Sequence, residues 1–138
     1  MRFMMLVIPK GYENARPGTA PDAKAVERMM KYNEDLAKAG VLLSLDGLLP
    51  PSAGVRVSYK SGKPTVKDGP FAESKECVGG YWMIQVKSKE EAIEWAKRAP
   101  MGDNEIIEVR QVHEMEDFPA DVQAAVSASN LEDLLGKK

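Results

Sequence analysis

The chain has 138 residues, of which 43% are hydrophobic and 29% charged, the composition of one soluble globular domain, which excludes a two-domain enzyme. Nineteen basic against 21 acidic side chains leave a formal charge of -2, which speaks against nucleic acid as a partner. A single cysteine, Cys77, excludes a disulfide framework, and no stretch approaches the roughly 20 apolar residues that span a bilayer, so no membrane partner is expected.

Residues 3–8 form a continuous apolar run, too short for a helix and stopped by Pro9-Lys10, and read as a strand buried on both faces rather than as a leader. With no paired cysteines and no Asn-x-Ser/Thr acceptor, the expected location is the cytoplasm. Residues 10–21 carry the turn residues of a long loop. From Asp22 the spacing of Val26, Met29, Met30, Asn33, Leu36 and Ala37 predicts a helix, with Gly40 placed to take the left-handed conformation that ends it. Residues 41–49 read as a second strand ended by Pro50-Pro51. Residues 55–59 alternate with period two, Ser61-Gly62-Lys63 offers a turn, and residues 64–67 return as the other arm of an inserted hairpin.

Gly79-Gly80 precede a third strand, residues 81–86, rich in aromatic and β-branched side chains. Ser88-Lys89-Glu90-Glu91 is a capping-box signature; Ala92, Trp95, Ala96 and Ala99 share one helical face behind it, and Pro100 ends the helix. Residues 105–112 read as a fourth strand. Pro119, Val122, Val126, Leu131, Leu134 and Leu135 predict a C-terminal arm of short helices, which divides the chain into a domain over 1–118 and an arm over 119–138.

This order, β-α-β, hairpin, β-α-β, predicts an α+β fold of ferredoxin-like type, with both helices on one face of an antiparallel sheet. Trp82, Ile84 and Val86, with Ile107 and Val109, are expected toward the helices; Tyr81, Met83, Gln85, Glu108 and Arg110 are expected on the uncovered face. A mixed face of that kind suits a homodimer in which two sheets trap a pocket between or beside them.

Asp68-Gly69-Pro70-Phe71-Ala72-Glu73-Ser74-Lys75-Glu76, followed by Gly79-Gly80-Tyr81-Trp82, resembles the YCII-related proteins, in particular the branch named for its Asp-Gly-Pro-Phe motif. The resemblance extends through Phe3-Met4-Met5-Leu6, Ala39-Gly40-Val41-Leu42, Gly47-Leu48-Leu49-Pro50-Pro51, Glu91-Ala92-Ile93-Glu94-Trp95-Ala96 and Glu108-Val109-Arg110. It implies a dimeric α/β barrel built on the ferredoxin-like fold. Relatives have been proposed as enzymes from a His-Asp pair, whereas the one histidine here, His113, lies at the far end of the fourth strand.

Asp68 is the candidate acid or base, because a carboxylate before Gly-Pro sits in a rigid turn that can aim it into a pocket; the plain alternative is ordinary turn chemistry. Glu73, Lys75 and Glu76 follow in the same loop, as ligand contacts or as solvated surface. Glu108 and Arg110 are expected to enter an internal or inter-subunit ion pair, or to meet a ligand. His113 is the one histidine, the side-chain type suited to acid-base work near neutral pH, but reads as a surface imidazole paired with carboxylates. Tyr12 is a candidate lid over a pocket, or a packed ring. Cys77 reads as a buried thiol, and one histidine with one cysteine does not furnish a usual zinc site, so neither metal nor cofactor is expected. The sequence therefore points to a small polar or anionic metabolite bound near Asp68, with cofactor-free proton transfer as the chemistry if the protein is an enzyme. The competing expectation is a non-catalytic sensor or accessory module acting through its dimer and arm.

Overall fold

The structure, a computed structural model, describes residues 1–16, 18, 21–71 and 75–136. It is an α+β fold: β1 (Arg2–Ile8), α1 (Ala23–Lys38), β2 (Leu42–Gly47), β3 (Val55–Lys60), β4 (Lys63–Asp68), β5 (Gly80–Gln85), α2 (Lys89–Lys97), β6 (Ile106–Gln111), α3 (Ala120–Ala128) and α4 (Leu131–Leu134). A four-stranded sheet has the order β2-β5-β1-β6 with every neighbouring pair antiparallel, and β3-β4 form a separate two-stranded hairpin. No helix among the described residues is long and apolar enough to cross a membrane.

Local chemistry accounts for the helix ends. Asp22 caps α1 by accepting from the Ala25 amide at 2.8 Å, and Gly40 beyond its end has φ of 75°, where a Cβ would be strained. Ser88 caps α2 by accepting from the Glu91 amide at 3.2 Å. Glu91 reaches back to the Lys87 amide at 2.9 Å, one residue beyond the donor that a closed capping box uses.

Three expectations are corrected, two of burial and one of a strand end. In β1 only alternate residues are fully enclosed: Phe3 and Met5 are buried while Met4 and Leu6 are half-buried, because helices cover one face of the sheet and not the other. On α1 the buried residues are Tyr32 and Leu36, whereas Met30 is exposed and Met29 only packs against the core edge. Periodicity passed over Tyr32 because its hydroxyl is polar, but that hydroxyl donates to the Trp95 carbonyl at 2.6 Å and so enters the core satisfied. β2 stops at Gly47, and an irregularity between Leu42 and Ser44 shifts its register against β5.

The core lies between the helices and the sheet: Phe3, Met5, Tyr32, Leu36, Val41, Trp82, Ile84, Val86 and Ala92. Tyr32 meets Trp82 edge-on at 5.1 Å, and Trp82 Nε1 donates to Asn33 Oδ1 at 2.7 Å, tying α1 to the central strand β5. As expected, Ile107 and Val109 pack against this core from β6.

Candidate functional site

The Asp68 segment forms the root of the hairpin. Asp68 is the last residue of β4, opposite Val55, and is exposed. The Gly69 amide donates to the Gly54 carbonyl at 2.9 Å, and a Cβ on Gly69 would stand 1.7 Å from the Pro51 carbonyl oxygen, so only glycine fits. The Gly69–Pro70 bond is cis, and Phe71 is buried under the Arg56 guanidinium, 4.1 Å from its ring centroid. Gly69 thus fastens the hairpin root to the 50–54 turn, and Phe71 packs against Arg56 of β3. Glu73 lies outside the described residues; Lys75 and Glu76 are exposed, and Cys77 is a buried free thiol.

The other candidates are dispersed. Tyr12 donates its hydroxyl to the Leu48 carbonyl, and partial burial pushes its pKa up, so the ring is pinned beside the end of β2. His113 stacks edge-on against Phe118 at 4.8 Å; this ring contact, rather than the expected carboxylate, is what holds it. It follows β6 at the end of the sheet where Phe3 pairs with Gln111, whereas the hairpin leaves from the end where Gly47 pairs with Gly80. Asp68 and His113 are therefore not brought together.

Glu108 and Arg110 pair with each other at 3.2 Å, both exposed on the face of the sheet away from the helices. The strand register builds two rows across that face. One row runs Asp46, Tyr81, Leu6, Glu108, and the next runs Ser44, Met83, Met4, Arg110. With strands about 4.8 Å apart, each row is roughly 14 Å long. The Tyr81 hydroxyl donates to Asp46 Oδ2 at 2.8 Å, and that hydrogen bond is the main cause holding the phenol pKa above its ordinary value. Met4, Leu6, Met83 and the Tyr81 ring thus form a half-buried apolar strip, with the Tyr81–Asp46 pair at one edge and the Glu108–Arg110 pair at the other. This face brings together a carboxylate that accepts a hydrogen bond, a phenol, a guanidinium and an apolar floor.

Asp46 and Tyr81 are the residues that sequence reasoning did not assign to a site. Strand alternation put Tyr81 on the open face, but Asp46 is matched to it only through the register shift at residues 42–44.

Hollows border the domain at several places. A cleft of about 190 Å³ between α1 and β2-β5 is lined by Met29, Asn33, Leu45 and Trp82 and reaches the Asp46 and Tyr81 side of the sheet edge; it is below the roughly 300 Å³ at which ligand pockets begin. A hollow of about 370 Å³ is bordered by Arg2, Gln85, Gln111 and Glu114, where Arg2 Nε donates to Glu114 at 2.7 Å. A groove of about 460 Å³ runs between α2 and β6. Asp68 lines none of these three. Among the described residues no group of three or more His, Cys, Asp or Glu side chains is placed to hold a metal ion.

Fold and site together define a small α+β protein whose antiparallel sheet is covered on one face and carries polar pairs on the other. The YCII-related domain profile matches residues 1–116, and the chain belongs to that family. An uncharacterised protein of Rhizobium meliloti (strain 1021) is 38% identical over 76 residues, which is 55% of this chain and 56% of that protein; the chain spans about half the length of this relative. A solved structure of 5-chloro-2-hydroxyhydroquinone dehydrochlorinase from Burkholderia phenoliruptrix AC1100, in complex with 2,5-dihydroxybenzoquinone, is similar at 14% identity and a TM-score of 0.42, over 84% of this chain and 98% of that one.

Proposed function

We propose that the four-stranded sheet and its helices are a ferredoxin-like unit, that two copies meet across their open faces as a dimeric α/β barrel, and that the space between them binds a small molecule. The observation that carries this reading is the Tyr81–Asp46 hydrogen bond, set at the edge of an apolar strip whose other edge is the Glu108–Arg110 pair. A ligand suited to these groups has an apolar body for Met4, Leu6 and Met83, an anionic group for Arg110 and an acidic proton facing Asp46. Closing the site would exclude water and strengthen each of these interactions. If turnover occurs, Asp46 is the proton acceptor, Tyr81 positions it by donating to Oδ2, and no cofactor takes part.

In this reading the Asp-Gly-Pro-Phe segment supports membership of the branch named for it, but its work is to anchor the hairpin, and Asp68 is peripheral to the ligand. Residues 1–118 are the binding domain and 119–138 an arm, in a cytoplasmic protein without nucleic-acid or membrane partners. A thermal-shift screen of small amphiphilic acids tests the assignment, since a ligand at 100 times its Kd adds about 2.7 kcal/mol. Stabilisation should vanish in Asp46→Asn and Arg110→Gln and persist in Asp68→Asn. The reverse pattern would return the site to the hairpin root and overturn the role of the open face.

A second reading, a non-catalytic sensor or accessory module acting through its dimer and arm, is favoured by the exposure of Leu131, Leu134 and Leu135 on that arm. Its signature is a ligand response without turnover, or a dimer that survives deletion of the residues after Phe118 while an interaction with another protein is lost.

A further inference from the structure

Strand β6 forms an edge of the four-stranded sheet, and among the described residues β1 is its one strand neighbour. The Val112 amide donates to the Arg2 carbonyl at 2.9 Å, which fixes how hydrogen bonding alternates along this antiparallel pair. Arg110, Glu108 and Ile106 therefore direct their backbone groups to β1. Gln111, Val109 and Ile107 direct theirs outward.

Natural sheets blunt such edges with proline, lysine or a bulge. The opposite edge, β2, carries a register irregularity between Leu42 and Ser44, whereas β6 keeps one register from Ile106 to Gln111 and contains neither proline nor lysine. Its helix side is open as well. Ile107 and Val109 form one wall of the groove of about 460 Å³ whose other wall includes Ile93 and Ala96 of α2, and Ile93 and Ile106 are exposed. An edge with outward ladder groups and an apolar flank is a template for another strand.

We propose that this edge pairs with the same edge of a second copy of the chain, antiparallel and with Val109 opposite the partner's Val109, joining two four-stranded sheets into one. The sequence of β6 selects this occupant because it is complementary to itself. With Val109 at the two-fold axis, Ile107 lies opposite the partner's Gln111, and these outward-directed residues exchange N–H and C=O bonds. Between them Glu108 lies opposite the partner's Arg110, and Arg110 opposite the partner's Glu108, at the positions where facing side chains approach closest. Moving the axis by one residue destroys the match: at Glu108 it sets two carboxylates against each other, and at Arg110 two guanidiniums. The Glu108–Arg110 ion pair, formed at 3.2 Å within one chain, thus opens into pairs between chains.

The contact goes beyond the dimer proposed above. Open-face association stacks two sheets about 10 Å apart and does not by itself satisfy outward backbone groups at an edge. Edge pairing leaves the open face uncovered and sets the two grooves between α2 and β6 side by side, so that the apolar walls of one copy shelter those of the other.

Amide hydrogen exchange followed by NMR on the full-length protein tests it, because each amide reports on its own partner. The outward amides of Ile107, Val109 and Gln111 should exchange as slowly as those of Glu108 and Arg110, which are bonded to β1. Glu108→Arg and Arg110→Glu should each lose the protection of the outward amides. An equimolar mixture of the two variants should regain it, since every facing pair is then of opposite charge. Sedimentation of the wild type is run in parallel. Fast exchange at the outward amides with a dimeric mass would overturn the edge contact and leave the open-face dimer standing; a monomeric mass would overturn both. Protection that survives either single substitution, or that the mixture fails to restore, means that another segment occupies the edge, and the proposal fails.

Discussion

The Tyr81 hydroxyl donates to Asp46 Oδ2 at 2.8 Å across the β5-β2 pair, so ionising the phenol would set two anions against each other in the row beside Leu6. The raised pKa of Tyr81 is the consequence. Asp46→Asn should lower the alkaline titration of Tyr81 toward the ordinary phenol value of 10.0, followed by absorbance near 295 nm as the difference from Tyr81→Phe. No movement would mean that the hydrogen bond does not form in solution.

The Asp-Gly-Pro-Phe segment separates into a structural and an expendable part. Gly69→Ala drives a Cβ into the Pro51 carbonyl oxygen, a backbone contact that no rotamer relieves, and should cost about 2–4 kcal/mol in urea denaturation. Asp68→Asn, at an exposed strand end, should stay within about 0.5 kcal/mol of wild type. Equal costs at the two positions would contradict the assignment of the motif to hairpin anchoring.

Burial pushes the Tyr32 hydroxyl up to about 12, with Arg98 opposing. A folded-state value above the unfolded one of 10.0 stabilises the fold fully below pH 10, and the contribution is lost as pH rises from 10 to about 12. Stability should therefore decline over that window, and Tyr32→Phe should flatten the decline while costing about 1 kcal/mol at neutral pH through the lost bond to the Trp95 carbonyl. Guanidinium denaturation of both proteins at pH 8 and pH 11 decides it.

At the other end of the scale, the hydrogen bond from Arg2 holds the Glu114 carboxyl below the usual carboxylate value of 4.5. A depressed folded-state value stabilises above 4.5, and that stabilisation is lost as pH falls through the folded value. Glu114→Gln should remove this part of the acid dependence, seen as a smaller difference in Tm between pH 3 and pH 6. Both groups face solvent, so salt should shrink the difference in the wild type as well.

Elements whose signals are local were legible in the chain. Asp22, Gly40 and Ser88 mark helix ends because caps act over three or four residues, and the hairpin was legible because its strands are joined by a two-residue turn. Alternation likewise assigned Trp82 and Ile84 to the core and Tyr81 and Met83 to the open face. The candidate site was only half legible: Glu108 and Arg110 were placed on the open face, while Asp46 was passed over as part of an apolar run.

What the sequence by itself determined was therefore the order of elements, their ends and the face presented by each regular strand, all consequences of short-range sterics and periodicity. Tertiary structure decided the rest. Asp46 meets Tyr81 only because β2 pairs with a strand 35 positions further along the chain, after a register shift that no alternation rule contains. Gly69 is required by the approach of Pro51, and Tyr32 is buried because Trp95, on another helix, accepts its hydrogen bond. These are contacts between distant segments, so their energies depend on where the chain returns in space and not on which residues stand beside them in order.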